Sequence, residues 1–240
     1  MTAALAWRLA KIALAIAAGY ALVRQCRKPT GWLGRRVARA MNIGHARLTA
    51  WALTHVTIAP RSRTLDIGCG GGQTIRTLAA AAPEGHVDGV DYAPASVAVA
   101  RECNADLIQS GRVTVQQASV SKLPFADASF DLVTAIETHY YWPDLARDLR
   151  EVLRVLAPGG RLIVVAEAYK GRRMDWLYRP VMRGLLRASY LSLDEHRAML
   201  TEAGFADVEL HVSGIDLREI GSSGWIRTSN PPVNSRMLCR

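Results

Sequence analysis

The stretch TLDIGCGGGQTI, residues 64–75, sets one acid at the end of a short apolar run and follows it with four glycines. An apolar run, then glycines, then a helix-forming segment read as a strand, a turn stripped of side chains, and a helix. Glycine both clears space beside the backbone and tolerates positive φ, so such a turn lets a ligand lie directly against the main chain. Gly68, Gly70 and Gly72 give G-x-G-x-G, and Gly71 opens the turn further. A chain built round this feature is expected to be an α/β protein. Its ligand should sit beyond the carboxyl ends of parallel strands, where the strand order reverses.

The rest of the chain fits that expectation. RTLDIG, HVDGVD, RVTVQQ, FDLVTAI and GRLIVVAEA read as strands, and residues 73–82, 94–109 and 144–156 as helices closed by PEG, SG and PGG. Ser192 and Glu195 spell a capping box ahead of a further helix, and ADVELHV follows as a strand. Strands alternating with helices predict a doubly wound, mostly parallel sheet with helices on both faces, and 240 residues hold one such domain with modest extensions. The four cysteines form no CxxC pair and the six histidines no HxxxH or HExxH, so no metal set is expected and a reducing compartment is.

Two acids narrow the ligand. A dinucleotide turn, G-x-G-x-x-G, would need glycine at position 73, where the chain has Gln73, and Asp66 would repel a pyrophosphate. A cationic ligand such as S-adenosylmethionine would be held by Asp66. Asp91, 19 residues beyond Gly72 at the end of the second strand, could take both hydroxyls of a ribose.

Four motifs carry a family resemblance: LDIGCGGG at 65–72, VDGVDYAPASVAVAR at 87–101, SVSKLPFADASFDLVTAIETHYYWPD at 119–144 and LREVLRVLAPGGRLIVVAE at 149–167. In order and spacing they resemble the class I S-adenosylmethionine-dependent methyltransferases, within them the small-molecule type 11 group, over about residues 40–210. The resemblance implies a Rossmann-like seven-stranded sheet of order 3-2-1-4-5-7-6 with one antiparallel strand. It also implies S-adenosylmethionine as cofactor and S-adenosylhomocysteine as product. Carried over by position, Asp66, Gly68, Gly70 and Gly72 would hold the methionine portion, Asp91 the ribose, and Tyr92 the adenine face. Cys69 within the first motif and Glu137 at the end of the fourth strand complete the expected cofactor contacts. The family often has an acid after the third strand for the adenine amino group; here the chain reads QASVSKLP, which leaves Ser119 or the backbone of Val120.

Methyl transfer is an in-line displacement, governed by positioning, and needs a general base only where the acceptor loses a proton. The stretch IETHYYWPD after the fourth strand gathers Glu137, His139, Tyr140, Tyr141 and Trp142 where the resemblance puts the acceptor. His139, whose imidazole titrates near neutral pH, and Tyr140 are the catalytic candidates. The competing reading makes them loop and core residues. Beyond the fifth strand, EAYKGRRMDWLYRPVMRGLLRASY, with Arg172 and Arg173, would join the N-terminal extension in an apolar lid with a basic rim, or form a solvated amphipathic helix.

The net charge of +9 is concentrated at the N-terminus. No Asp or Glu precedes Asp66, whereas Arg8, Lys11, Arg24, Arg27, Lys28, Arg35, Arg36, Arg39, Arg47, Arg61 and Arg63 do, which leaves the remainder close to neutral. The apolar run 12–23 falls short of the roughly 20 residues that span a bilayer. A helix lying on a membrane surface with a polybasic sequel is one expectation for residues 1–39, packing on its own domain another, and a secretory signal a third. The chain thus divides into a basic helical extension (1–40), a methyltransferase domain (41–223) and an irregular tail (224–240). The expected function is methylation of a small, hydrophobic acceptor in the cytoplasm, at the inner membrane face. The alternatives are an RNA or protein methyltransferase using the basic N-terminus, and an inactive binding protein.

The tail is the doubtful part. GWIRTSNPPVNSRMLCR stands where a buried last strand belongs, and Pro231 and Pro232 cannot donate to a ladder, so a regular seventh strand is not expected. NPPV at 230–233 resembles the Asn-Pro-Pro-aromatic motif of amino-methylating enzymes but lacks the aromatic and lies far from the fourth strand. Methylation of base amines in nucleic acid is therefore disfavoured.

Overall fold

The computed structural model describes residues 3–171, 175–212 and 224–230. Two long helices open the chain, α1 (Ala3–Arg27) and α2 (Gly31–Leu53). They are parted by Pro29, whose ring disfavours helix at the residue before it. Then follow β1 (Arg63–Ile67), α3 (Gln73–Ala81), β2 (His86–Asp91), α4 (Pro94–Cys103), α5 (Ala105–Gln109), β3 (Val113–Gln117) and β4 (Phe130–Ile136). The second half holds α6 (Leu145–Val155), β5 (Leu156–Ala166), α7 (Asp175–Arg179), α8 (Leu193–Glu202), β6 (Ala206–Val212) and β7 (Gly224–Ser229).

The strands form one sheet of order β3-β2-β1-β4-β5-β7-β6, with β1 to β5 parallel and β7 antiparallel to both neighbours, as the resemblance implied. Side chains alternate across it. Leu162 and Val164 join Leu149, Val152 and Leu200 on one face, while Ile163 and Val165 join Leu48, Ile75, Leu78 and Val97 on the other. Each such fully buried side chain contributes about 1.5–3 kcal/mol, so both helical layers are held by hydrophobic burial.

Local signals set the element ends. Asp144 caps α6 by accepting from the Arg147 N–H at 3.1 Å, and the Ser192–Glu195 capping box opens α8. The expected single helix over 94–109 is broken at Asn104. Its buried side chain donates to the Gly72 carbonyl at 3.0 Å and to the Ala100 carbonyl at 2.9 Å, which ties the glycine turn to α4.

Two expectations fail. A seventh strand is present: Gly224–Ser229 pairs with β5 from Arg161↔Ser229 to Ala166↔Gly224, and with β6. Ile226 and Thr228 point into the core, and Asn230 donates its backbone N–H to the Gly160 carbonyl and its amide to the Leu156 carbonyl. The prolines follow the strand instead of interrupting it, so the ladder loses no donor. Residues 231–240, with the two prolines, lie outside the described residues, as do Arg172 and Arg173. The division at residue 40 also fails, because it falls inside α2, a continuous helix packed on α3 and α4 and joined to Glu102 by Arg35 and Arg39.

Candidate active site

β1 and β2 deliver Asp66 and Asp91 to the same end of the sheet, and both acids line one cavity with the glycine turn between them. Asp66 is 2% exposed, and its Oδ1 accepts from the Thr134 hydroxyl at 2.7 Å. Asp91 accepts from the Gly70 N–H at 3.0 Å through Oδ2 and from the Ala93 N–H at 2.8 Å through Oδ1. Each of its oxygens keeps a lone pair for a further donor. Burial pushes Asp66 up to about 7, with the Thr134 bond opposing and the charge of Asp91 adding. Burial likewise pushes Asp91 up to about 6 against its two N–H donors. Two carboxylates held this far from water favour a positive ligand, which would restore their ionised forms.

The turn itself discriminates between ligands. A phosphate site keeps free N–H groups at the helix N-terminus. Here Gly68 and Cys69 donate to the Val90 carbonyl at 2.8 and 3.0 Å, Gly70 to Asp91, and Gln73 to Asn42 Oδ1 at 3.4 Å. Gly70, at φ +53°, has nothing nearer a Cβ than the Gly68 carbonyl at 4.0 Å, so a side chain there would extend into the cavity. At Gly68, φ +71°, a Cβ would lie 2.1 Å from the Thr138 hydroxyl, because the turns after β1 and β4 press together. Side chains are thus excluded for closeness and for ligand room, and the two carboxylate acceptors suit a cationic nucleoside such as S-adenosylmethionine.

A second compartment adjoins the first, lined by Ile67, Val90, Ala118, Ser119, Val120 and Trp142 and sharing Asp91, Tyr92 and Thr138 with it. Ser119 and Val120, the residues expected beside adenine, lie on its wall. Tyr92 stands at the junction of the two compartments, and its hydroxyl donates to the Arg27 carbonyl, which joins it to α1. Burial raises the Tyr92 phenol to about 12, so it stays protonated. Cys69 also lines the first compartment, its thiol raised by burial and by the two acids.

The IETHYYWPD stretch divides. Glu137 and Tyr141 face the first compartment, whereas His139 and Tyr140 do not line it. His139 is 2% exposed among Leu145, Leu149, Val164 and Ile226, with its Nε2 3.0 Å from His196 Nε2. Burial holds its pKa well below the usual value, with His196 adding to the effect. It therefore does not meet an acceptor at the cavity, contrary to the sequence expectation. Tyr140 is buried too, and its hydroxyl donates to Glu137 Oε2 while the Glu167 N–H donates to Oε1. Glu137 is fixed at the cavity wall in a left-handed conformation, φ +56°, which costs a non-glycine residue energy that its two hydrogen bonds offset.

The opposite wall comes from the N-terminal helices. Met41, Asn42, His45, Ala46 and Thr49 of α2 line the cavity, with Cys26, Arg27 and Pro29 at the end of α1. Asn42 Nδ2 donates to the Gly71 carbonyl at 2.8 Å, a second clamp on the turn. Burial lowers the His45 pKa, opposed by the charge of Glu167. Sequence reasoning missed Asn42 and His45. The signal was a polar stripe, Asn42, His45 and Thr49, at helical spacing among otherwise apolar and cationic residues.

Known proteins share both the sequence and the shape. Residues 65–164 match the methyltransferase domain family. The 27-O-demethylrifamycin SV methyltransferase of Amycolatopsis mediterranei is 35% identical over 59% of this chain and 53% of its own length. The 2-methyl-6-phytyl-1,4-hydroquinone methyltransferase of a Synechocystis strain is 31% identical over 70% of this chain and 51% of its own. The chain thus spans about half the length of these relatives. The geranyl diphosphate C-methyltransferase of Streptomyces coelicolor superposes with a TM-score of 0.65 at 15% identity, over 78% of this chain and 79% of that one. With the glycine turn and both acids inside the matched stretch, residues 65–164 are similar to the type 11 methyltransferase domain, and the sheet order is the one that the class I resemblance implied.

Proposed function

We propose that this chain methylates a hydroxyl of a small lipophilic acceptor, with S-adenosylmethionine as donor, at the cytoplasmic face of a membrane. One observation carries the reading: two buried carboxylates flank a turn without side chains, and His45 faces them across the same cavity. The sequence relatives named above are similar small-molecule methyltransferases, which supports the acceptor class.

When bound, the cofactor supplies an electrophilic methyl group on a sulfonium centre. Asp66 and Glu137 would accept from its ammonium, Asp91 from the ribose hydroxyls, and the Ser119–Val120 edge would meet the adenine. Met41, Ala46 and Tyr141 present apolar surface to the acceptor and exclude water. A ring nitrogen of His45, neutral at pH 7 because burial lowers its pKa, would take the proton of the acceptor hydroxyl. Tyr140 acts only through Glu137, as a positioning residue. Arg27 and Arg24 near the cavity mouth suit an acceptor that carries negative charge.

Calorimetry with S-adenosylmethionine and S-adenosylhomocysteine tests the core of this reading. Binding of both is expected, and binding of neither overturns it. The acceptor side is tested by incubating the enzyme and labelled cofactor with a panel of lipophilic phenols and alcohols. Label on oxygen, lost with His45→Gln, is the expected result.

A further inference from the structure

Among the described residues, helix α1 carries a long run of large apolar side chains that the fold leaves uncovered. Over Trp7–Arg27 it is apolar enough to cross a membrane, and it touches the domain only at its last turns, where Val23 packs on the Tyr140 cluster and Cys26 and Arg27 line the cavity. Leu5, Trp7, Leu9, Ile12, Leu14, Ile16, Tyr20 and Leu22 are all exposed. At 3.6 residues per turn, Leu5, Leu9, Ile12 and Ile16 fall on one side of the helix, Trp7 and Leu14 on the opposite side, and Leu22 between them. Alanines fill most of the remaining directions, with Arg8 and Lys11 beside Leu22 in the N-terminal half.

That distribution separates the candidate occupants. A helix lying flat in a headgroup layer needs one apolar and one polar face, and α1 has no such division. A second copy packed along one stripe would still leave the opposite apolar side in water. Hydrocarbon on all sides covers every one of these residues.

We propose that α1 spans a lipid bilayer as an N-terminal anchor and holds the catalytic cavity at the cytoplasmic headgroup layer. Trp7 to Val23 rises about 25 Å, which meets the roughly 17–25 residues that a spanning helix requires. Trp7 and Tyr20 stand near the two ends, where an aromatic belt belongs. The two cations inside the stretch both lie near its first end. Lys11 Nζ is folded back 5.2 Å from the Trp7 ring, towards the N-terminal side, as a snorkelling lysine would be. Beyond the other end come Arg24, Arg27, Lys28, Arg35, Arg36 and Arg39 with no acid among them. This asymmetry puts the domain on the cytoplasmic side, against anionic lipid.

The exit of α1 is also where the cavity opens. Tyr20, Arg24, Arg27 and Lys28 line a basic vestibule with Tyr92 and the segment 184–187, and Arg27 and Tyr92 belong to the cofactor cavity as well. Arg27 Nη1 donates to the Leu186 carbonyl at 2.8 Å, which fixes the helix end to the domain. An acceptor dissolved in the bilayer, with a polar or acidic head at the surface, would enter there. This part of the inference rests on the methyltransferase reading; the anchor itself does not.

The test expresses the full chain in bacteria and washes the membranes with alkaline carbonate. Retention in the washed membrane is expected, with the domain digested and an N-terminal epitope protected in inverted vesicles. Release by carbonate would overturn the spanning helix and leave a peripheral contact. A soluble chain, or a mature N-terminus beyond residue 27, would overturn it too. The double variant Leu14→Arg, Ile16→Glu should move the protein to the soluble fraction and still bind S-adenosylmethionine. If the variant is soluble and folded but binds no cofactor, the functional reading fails and the anchor stands.

Discussion

The turn after β1 and the loop after β4 meet at one cavity, yet one was readable in the sequence and the other was not. In the turn, side chains are absent, so the backbone path is the function and glycine spells it directly. In IETHYYWPD, neighbouring residues compete for two environments a few ångströms apart. Glu137 and Tyr141 reach the cavity, while His139 and Tyr140 turn into the core. A polar side chain there serves function or packing according to which way a single 3₁₀ turn, His139–Tyr141, points it.

The largest expected effect breaks the turn. Gly68→Val would force a branched side chain at φ +71° into Thr138, and cofactor binding should disappear from calorimetry. Asp91→Ala should do the same, because it leaves the Gly70 and Ala93 N–H groups unpaired and removes the ribose acceptor. Next in size is His45→Ala. It should lower kcat by about 10²- to 10⁴-fold with cofactor affinity nearly unchanged, read by steady-state kinetics and calorimetry.

The pH dependence sharpens the comparison. Asp66 and Asp91 carry folded-state pKa values of about 7 and about 6, above the ordinary 3.8. In the proposed binding mode their ionised forms would hold the ligand, so cofactor affinity should fall as pH drops from 7.5 to 5.5, by up to about tenfold per pH unit below each pKa. For the free protein the sign reverses. These acids bind protons more tightly folded than unfolded, so their contribution to stability is lost as pH rises from about 4 to about 7. His139 and His196 act oppositely, since their lowered pKa values cost stability as pH falls below about 6.5. Thermal melts with and without cofactor across pH 5–8 read both.

The smallest effect concerns the loop. His139→Gln should cost about 1–3 kcal/mol of stability, seen as a lower denaturation midpoint, because it breaks a buried hydrogen bond. It should leave kcat within about twofold if the residue belongs to the core. A loss comparable to that of His45→Ala would return His139 to catalysis.

The element order was legible because periodicity and punctuation act locally. Strand runs, the Ser192–Glu195 box and the PGG break needed no partner to be recognised. β7 was not, because the two prolines directly behind it, which cannot join a ladder, outweigh so short an alternation as that of Ile226 and Thr228. Whether the ladder ends before a proline depends on where β5 and β6 supply partners. Asn104 likewise interrupts a helix for the sake of the Gly72 carbonyl, 32 residues earlier.

By itself the sequence determined the sheet class, the acid pair and the turn between them, since each depends on residues adjacent in the chain or on a strand–helix rhythm. Only the tertiary structure decided that α2 closes the cavity with Asn42 and His45, that His139 is a core residue, and that α1 stays uncovered. Those outcomes depend on which surfaces meet across long separations, and burial and hydrogen bonding fix that only when the whole chain is packed.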